Sequence, residues 1–255
     1  MIDIHSHIIP NIDDGSKSRE MTLQMLKNAK DRGTNEIVAT PHYLLEYGVA
    51  KIEEVKKHVQ EINELLKDKN IDIKVYHGQE VYFSERIIED YLKNNIGTIN
   101  DSRYMLIEFN MRKFEDNIFD ILYELQVRNI IPIIAHPERY REFIERPSRI
   151  NYFIKEGYLF QLNSGSLEGK LGENARKTAE IFLGNNIYNF IGSDAHNVTS
   201  RTTGIDNALK IIRNEYKFSE EIFNKGSKRL IENKGIEFCG QYIKEKKSIF
   251  SFLKL

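Results

Sequence analysis

The sequence predicts an α/β fold, more specifically a distorted seven-stranded barrel in which strands and helices alternate, (β/α)7. Seven short apolar runs recur along the 255 residues, and segments with helical spacing separate them. Each run leads into or carries a His, Asp, Glu or Asn. Barrel enzymes build their active sites from polar side chains at the C-terminal ends of successive parallel strands. This pattern favours a polynuclear metal hydrolase.

The predicted strands coincide with the apolar runs, in chain order. They are 2–4 before His5 and His7, 36–40 before His42, 72–76 before Glu80, 104–109 carrying Glu108, 130–135 before His136, 158–162 before Asn163, and 188–191 before Asp194 and His196. Runs of this length, bounded by polar or turn residues, are typical of buried strands. Each is therefore interpreted as one strand of the barrel.

The segments between the runs have the apolar spacing of amphipathic helices. In the first, Met21, Met25, Leu26 and Ala29 fall on one side, and Gly33 stands where a helix end favours positive φ. The predicted helices are 18–32, 51–69, 84–93, 114–128, 147–156, 174–183, 203–216 and 219–233. Alternating strands and helices predict parallel strands joined by right-handed crossovers.

We expect one domain over residues 1–240, because no repeat, low-complexity tract or linker rich in Pro and Gly divides the chain. Residues 241–255 differ, since lysines alternate loosely with Ile and Phe. A frayed terminal tail is the preferred interpretation of this segment. A docking segment for a partner or an anionic surface is the alternative.

Composition excludes several classes of protein. The net charge of −1 gives no protein-wide positive field for nucleic acid. The start of the chain lacks the features of a signal peptide, and no stretch approaches the roughly 20 apolar residues of a membrane span, so we expect a cytoplasmic protein. Cys239 is the single cysteine, and Glu245 stands six positions later, where a cysteine-dependent phosphatase needs arginine.

Two histidine-containing pairs give the first indication of a metal site. His5 and His7 are one residue apart on a strand, so both point to the same side. Asp194 and His196 repeat this spacing near the other end of the chain. In a closed barrel the first and last strands are neighbours, and the two pairs would meet there. His58 and His77 lack this context and are left outside the predicted site.

Carboxylates in apolar surroundings give the second indication. Glu80 and Glu108 emerge from apolar runs, and burying a carboxylate without a partner is expensive. A metal ion would supply that partner, although a buried structural ion pair is the alternative. Asp13 and Asp14 form a turn signal with the glycine that follows, and their nearness to His7 suggests that one of them is a ligand.

Charge and ligand type indicate what the site would bind. The carboxylates of Asp14, Glu80, Glu108 and Asp194 with three divalent cations would leave two positive charges, which fit a phosphate dianion. Imidazole and carboxylate ligands without sulfur favour Mn, Fe or Zn. Such ions lower the pKa of water and polarise phosphoryl oxygens. Arg139 and Arg201 follow ligand motifs closely enough to clamp phosphate, or they form surface salt bridges.

These motifs resemble the polymerase-and-histidinol-phosphatase (PHP) superfamily, and specifically its bacterial capsule-associated protein-tyrosine phosphatases. The matching stretches are Asp3 to Gly15 with His-x-His and Asp-Asp-Gly, Ala39 to Tyr43, Gly78 to Glu80, His136 to Tyr140 and Gly192 to His196. Ser6 and Asn11 stand where many relatives are expected to have cysteine and glycine. Neither position is a predicted ligand.

The resemblance implies a TIM-like barrel with three metal ions, often manganese. It assigns His5, His7, Glu80 and Asp194 to one ion, Glu80, Glu108 and His136 to a second, Asp14, His42 and His196 to the third, and Arg139 and Arg201 to the phosphate. The implied substrate is phosphotyrosine on a bacterial tyrosine autokinase that controls capsule or exopolysaccharide synthesis. The alternatives are a small-molecule phosphatase acting on a phosphomonoester such as histidinol phosphate, and a non-catalytic protein that docks on a kinase.

Overall fold

A computed structural model describes residues 1–216 and 220–244. The strands are β1 (Ile2–Ser6), β2 (Glu36–Ala39), β3 (His42–Leu44), β4 (Gly48–Val49), β5 (Lys74–His77), β6 (Glu80–Tyr82), β7 (Tyr104–Glu108), β8 (Ile131–Ala135), β9 (Leu159–Asn163) and β10 (Phe190–Gly192). The helices are α1 (Arg19–Asp31), α2 (Ile52–Asp68), α3 (Ile87–Leu92), α4 (Ile118–Val127), α5 (Arg141–Glu145), α6 (Ile150–Lys155), α7 (Ser164–Leu167), α8 (Glu173–Gly184), α9 (Asp206–Glu215) and α10 (Glu221–Ile231). Short 3-10 turns cover Ile99–Asp101, Pro137–Arg139 and Pro147–Arg149.

All seven predicted strands and all eight predicted helical segments are present, so the α/β class is confirmed. The structure adds β3, β4 and β6, which sequence analysis did not predict. Two of these continue a predicted strand after a short break, β3 after β2 and β6 after β5. Pro41 lies in the first break, where its missing N–H cannot donate to a strand ladder.

The described strands lie in two sheets rather than in one closed seven-stranded ring. One sheet has the order β1-β2-β5 and the other has the order β10-β9-β8-β7-β6-β3-β4. Every pair is parallel except β3 with β4. Backbone hydrogen bonds of 2.8 Å connect the sheets, from Asp194 N–H to His5 O and from His7 N–H to Ala195 O.

Helix α1 shows how local sequence sets the elements that cover the sheets. Its N-cap, Ser18, accepts a hydrogen bond from the backbone N–H of Met21, which satisfies one free donor of the first turn. Met25, Leu26 and Ala29 are buried, as the helical spacing predicted, whereas Met21 is only partly buried. Beyond the helix end, the backbone turns through residue 33 with φ of +85°, which glycine adopts without strain.

One core cluster contains side chains from each of the seven predicted strands. Its members are Ile2, Ile4, Val38, Tyr76, Ile99, Tyr104, Leu106, Ile133, Ala135, Leu159, Phe190 and Leu230. Successive side chains of a strand alternate between its two faces, so Glu108 lies on the same face as Tyr104 and Leu106. The apolar layers therefore lead up to a carboxylate at the end of β7.

The C-terminal segment is described only in part. Residues 241–244 have no regular secondary structure. The backbone N–H of Ile243 donates to Asn151 Oδ1, and the backbone oxygen of Ile243 accepts from Asn151 Nδ2, both at 2.9 Å. The remainder of the predicted tail, residues 245–255, lies outside the described residues. Among the helices of the described residues, none has the length and apolarity that crossing a membrane requires.

Candidate metal centre

The structure brings all nine predicted ligands together where the parallel strands end or break. His5 lies on β1, Glu108 ends β7, and His42 and Glu80 begin β3 and β6. The other five lie in the segments that follow strands: His7, Asp14, His136, Asp194 and His196. Eight of the nine are buried, and only Asp14 is partly exposed. Three sets of nitrogen and oxygen atoms within this cluster are close enough to hold an ion each.

The first set consists of His5, His7, Glu80 and Asp194. The Nε2 atoms of His5 and His7 are 3.2 Å apart, and they lie 3.2 and 3.3 Å from Glu80 Oε2. Asp194 Oδ1 is 3.6 Å from His5 Nε2 and 3.5 Å from His7 Nε2. Ligands bound to one ion by bonds of about 2.1 Å have spacings of this size.

The second set consists of His42, Glu80 and Glu108, with His136 beside it. His136 Nε2 lies 2.9 Å from Glu80 Oε1 and 3.5 Å from Glu108 Oε1, while His42 Nδ1 lies 3.1 Å from Glu80 Oε2. Glu80 thus contacts the first set through Oε2 and His136 through Oε1. A carboxylate with its oxygens on two sides has the geometry of a bridging ligand.

The third set consists of His7, Asp14, His42 and His196. Asp14 Oδ1 lies 3.2 Å from His196 Nε2 and 3.6 Å from His42 Nε2. His7 and His42 each belong to two sets, which differs from the one-ion assignment that the family resemblance implied for them. The three sets of ligands therefore share residues and form one continuous cluster.

Several polar atoms at the centre of this cluster fit a cation. Asp14 Oδ1, His42 Nδ1 and His196 Nε2 are buried and have no hydrogen-bond partner. Buried polar atoms without partners are rare and destabilise a fold. Divalent ions would give these three atoms the partners that the protein itself does not provide, so the residues present fit a metal cluster.

Hydrogen bonds outside the cluster fix the orientation of three histidine rings. His7 Nδ1 lies 2.7 Å from Asp13 Oδ2, and His5 Nδ1 lies 2.9 Å from the Gln161 side-chain oxygen. His196 Nδ1 lies 3.0 Å from the backbone oxygen of Asp194. In a neutral ring, donation by Nδ1–H to these acceptors would leave Nε2 without a proton and directed at the cluster, as metal-binding histidines require.

The loop after β1 brings Asp13 to His7 through a tight turn. Gly15 donates its N–H to Asp13 Oδ1 at 2.9 Å, and a Cβ at position 15 would overlap the His7 backbone oxygen. Glycine at position 15 is therefore required by packing as well as favoured by turn propensity. Asn11 has φ of +58° in the same loop, a conformation that asparagine tolerates and in which glycine would be equally suitable.

The pKa values of the buried acids indicate a site built for positive charge. Burial would raise the pKa of Glu80, but the neighbouring His5 and His42 imidazoles and a hydrogen bond with His136 hold it well below its usual range. Burial, followed by the charge of Glu80, raises the pKa of Glu108 well above its ordinary value. One of these two neighbouring carboxyl groups therefore resists ionisation. A bound cation would stabilise the state in which both are ionised.

Two of the histidines are held neutral by their surroundings. Burial lowers the pKa of His42 to about 4, and burial with the charge of Arg139 lowers the pKa of His136 to about 4. A neutral imidazole has the lone pair that a metal ion needs. The backbone of His136 and Asp194 is strained, with φ of +32° and +52°, which is a frequent feature of functional sites.

Both predicted arginines lie beside the cluster and share one partner. Arg139 Nη1 is 3.0 Å from Asp194 Oδ2, and Arg201 Nη2 is 2.6 Å from Asp194 Oδ1. Their side chains are partly exposed, so they form the boundary between the buried ligands and solvent. Both arginines thus form salt bridges, and the shared partner of these salt bridges is a predicted metal ligand.

Comparison with known proteins is consistent with this geometry. A family model described as capsular polysaccharide synthesis, CpsB/CapC, matches residues 1–232. The chain belongs to this CpsB/CapC family.

Its relatives include CapC of Staphylococcus aureus, 38% identical over 79% of each protein, and the tyrosine-protein phosphatase YwqE of Bacillus subtilis, 35% identical over 85% of each. A solved structure from a study of YwqE and of CpsB from Streptococcus pneumoniae, described as metal-dependent tyrosine phosphatases, superposes with a TM-score of 0.90. It is 31% identical to this CpsB/CapC family member and covers 96% of this chain and 100% of its own.

Sequence analysis missed three side chains that support the site of this family member. Asp13 belongs to the Asp-Asp-Gly turn signal, in which either aspartate could be the ligand. Gln161 lies inside an apolar run, and Asn163 follows that run as a residue that could bind a metal or a substrate. Asn163 donates to Asp194 Oδ2 at 2.7 Å and so orients a carboxylate. The alternation of Phe160, Gln161 and Leu162 was the available signal, because it places the glutamine opposite the two apolar side chains.

Proposed function

We propose that this chain is a metal-dependent protein-tyrosine phosphatase. The observation that supports this most directly is the convergence of nine histidine and carboxylate side chains with two arginines at one end of the strands. The relatives named above are tyrosine-protein phosphatases by name or by structure. Cys239, the one cysteine of the chain, is exposed after the end of α10 and is not part of this cluster.

The proposed cofactor is a set of three divalent ions, with Mn favoured by the resemblance and Fe or Zn as alternatives. His5, His7, Glu80 and Asp194 would hold one ion; Glu80, Glu108 and His136 with His42 would hold the second; Asp14, His42 and His196 would hold the third. When bound, such ions activate water and polarise phosphoryl oxygens.

The chain's own residues would position the phosphate. Arg139 and Arg201 present planar guanidinium groups at the boundary of the cluster, and such groups match phosphate oxygens in pairs. Asp194 holds both groups in place, and Asn163 in turn fixes Asp194. Phenol has a pKa of about 10 and leaves more readily than an aliphatic alcohol, so we assign no general acid.

We also propose that residues 1–240 form one domain, in which the two sheets together make a distorted seven-stranded barrel. The support is the pair of backbone hydrogen bonds between β1 and the segment after β10, together with the continuation of β2 into β3 and of β5 into β6. A barrel in this arrangement places the ligands at its C-terminal end, where barrel enzymes have their active sites.

The proposed protein substrate is a bacterial tyrosine autokinase that controls capsule or exopolysaccharide synthesis, acting in the cytoplasm. The family description, capsular polysaccharide synthesis, supports the process. The partly exposed arginines support a substrate that approaches from solvent.

The test is hydrolysis by protein that has been stripped with a chelator and reloaded with Mn²⁺. A phosphotyrosine peptide, the same peptide with phosphoserine, and histidinol phosphate should be compared at equal concentration. We expect turnover of the phosphotyrosine peptide that disappears on chelation and returns with the metal. Equal rates with and without metal would contradict the mechanism, and preference for histidinol phosphate would contradict the substrate.

A further inference from the structure

An apolar hairpin stands next to the metal centre. Strands β3 and β4 pair in antiparallel fashion, and His42, a proposed ligand, is the first residue of β3. The turn between the strands exposes Leu45 and Tyr47, which are 89% and 49% accessible to solvent. Exposed apolar side chains that adjoin a polar site indicate a binding surface, whereas single ones scattered over a surface do not.

The Tyr47 ring lies directly against a ring of the proposed site. The centroids of Tyr47 and His42 are 5.3 Å apart, and their planes are inclined at 38°. His42 in turn lies 3.6 Å from Asp14 and 3.1 Å from Glu80. One face of the site is thus bordered by an aromatic ring that is half exposed.

The hairpin is held against the loop that carries two site residues. The backbone N–H of Tyr47 donates to Leu44 O at 3.0 Å, which closes the turn. A Cβ at Gly48 would lie 2.5 Å from the backbone oxygen of Ile12, so only glycine allows the two segments to pack this closely. Ile12 directly precedes Asp13 and Asp14, and the position of the Tyr47 backbone is therefore fixed relative to the site.

The ligands and arginines of the site cannot by themselves distinguish one phosphate ester from another. They would bind the phosphoryl group, which phosphotyrosine and phosphoserine share. Discrimination must therefore come from contacts with the rest of the substrate. An aromatic side chain beside the phosphate position suits an aryl group, because two rings in a tilted or offset pair attract each other in addition to their apolar burial.

We propose that Tyr47 is a specificity-determining residue that packs against the phenyl ring of the substrate phosphotyrosine. This inference rests on the proposed phosphatase function and extends it to substrate choice. Tyr47 acts by binding the aryl group and takes no part in the chemistry.

The test compares Tyr47→Ala and Tyr47→Phe in the Mn-loaded full-length protein. An aromatic pair contributes enough for a roughly 3- to 10-fold loss in kcat/KM on a phosphotyrosine peptide when Tyr47→Ala removes the ring. We expect the loss to appear in KM, with kcat unchanged, because the contact is the same in substrate and transition state. Tyr47→Phe retains the ring and should restore most of the loss in kcat/KM that Tyr47→Ala causes.

Inhibition gives a second measurement that does not depend on turnover of a peptide. Phenylphosphonate and methylphosphonate should be compared as competitive inhibitors of each variant. Tyr47→Ala should raise the inhibition constant of phenylphosphonate by a similar factor and leave that of methylphosphonate unchanged. Tyr123→Ala is the matched control, because Tyr123 is 58% exposed on α4, a helix that carries none of the proposed site residues.

The outcomes separate the two proposals. If wild-type protein loaded with metal does not hydrolyse phosphotyrosine, the proposed function fails and this inference fails with it. If wild-type protein is active but Tyr47→Ala matches it on both aryl and alkyl probes, only the inference is overturned. Equal weakening of phenylphosphonate and methylphosphonate would also overturn it, because Tyr47 would then act on the phosphate site and not on the ring.

Discussion

The two halves of the candidate metal centre differ in how the protein holds their histidines. In the first half, which we term the anchored half, His5, His7 and His196 each have Nδ1 on an acceptor outside the metal-facing atoms. In the second half, the unanchored half, both nitrogens of His42 face carboxylates of the cluster, Nδ1 at 3.1 Å from Glu80 and Nε2 at 3.6 Å from Asp14. The Nδ1 atom of His136 has no hydrogen-bond partner within the described residues.

This difference indicates which part of the site the fold forms without metal. Asp13 and Gln161 preset the rings of the anchored half, so those nitrogens need no rearrangement to bind an ion. The unanchored half contains Glu80 and Glu108, and burial together with the charge of Glu80 raises the pKa of Glu108. The side-chain positions of the unanchored half should therefore depend on bound cations more than those of the anchored half do.

The largest effect is expected from Glu80→Gln, which affects both halves. The Glu80 carboxylate lies within 3.3 Å of His5, His7, His42 and His136. Replacing one of its oxygens with an NH₂ group removes its charge and one ligand atom. Because metal ions contribute several kcal/mol to such reactions, we expect kcat/KM to fall by about 10³-fold or more.

Metal content and hydrolysis of a phosphotyrosine peptide measure this effect of Glu80→Gln. Glu64→Gln on the exposed face of α2 is the matched control and should behave as wild type. Full metal occupancy together with wild-type kcat/KM in the Glu80 variant would mean that this carboxylate does not connect the two halves.

A smaller effect is expected from Asp13→Ala, which removes the acceptor that holds His7. Loss of such an outer hydrogen bond weakens metal binding by about 10- to 100-fold. The Gln161→Ala variant should lose less, because a neutral amide oxygen is a weaker acceptor than a carboxylate. Titration calorimetry with Mn²⁺ measures both affinities. An equal, unchanged affinity in the two variants would show that anchoring does not preform the first half.

The sequence was sufficient to predict the longer strands, the main helices and which histidine and carboxylate side chains lie together, but not this division. Apolar runs and helical spacing reflect burial, and burial is a local property of each segment, so all seven strands were found. Histidines and carboxylates after those runs were recognisable because such residues are unexpected there. The hydrogen bond between His5 and Gln161 joins residues 156 positions apart, and no local pattern reports a pairing of that kind.

The added strands show a second limit. The pairs β3 with β6 and β3 with β4 depend on how the chain continues after the breaks at residues 40–41 and 78–79. These strands are two or three residues long, which is too short for a periodic pattern to identify. The hairpin that carries Tyr47 was therefore not predicted, although it borders the site.

The smallest effect, and the one with the opposite sign, is expected from Glu108→Gln in metal-free protein. A carboxyl whose pKa is raised in the folded state destabilises the fold as the pH rises from the unfolded pKa through the folded one. Burial and Glu80 raise the pKa of Glu108, so its ionisation opposes folding when no cation is present. Glutamine does not ionise and should remove this penalty.

In the presence of a chelator, Glu108→Gln should be more stable than wild type by about 1–2 kcal/mol at pH 8 and by much less near pH 4. Urea denaturation at the two pH values measures the difference, and Asp120→Asn on the exposed face of α4 serves as the surface control. With Mn²⁺ present, wild type should be more stable than the variant, because the variant loses a ligand while wild type gains the stabilisation of bound metal. A variant that is less stable than wild type at pH 8 without metal would show that the unanchored half does not depend on cations for its order.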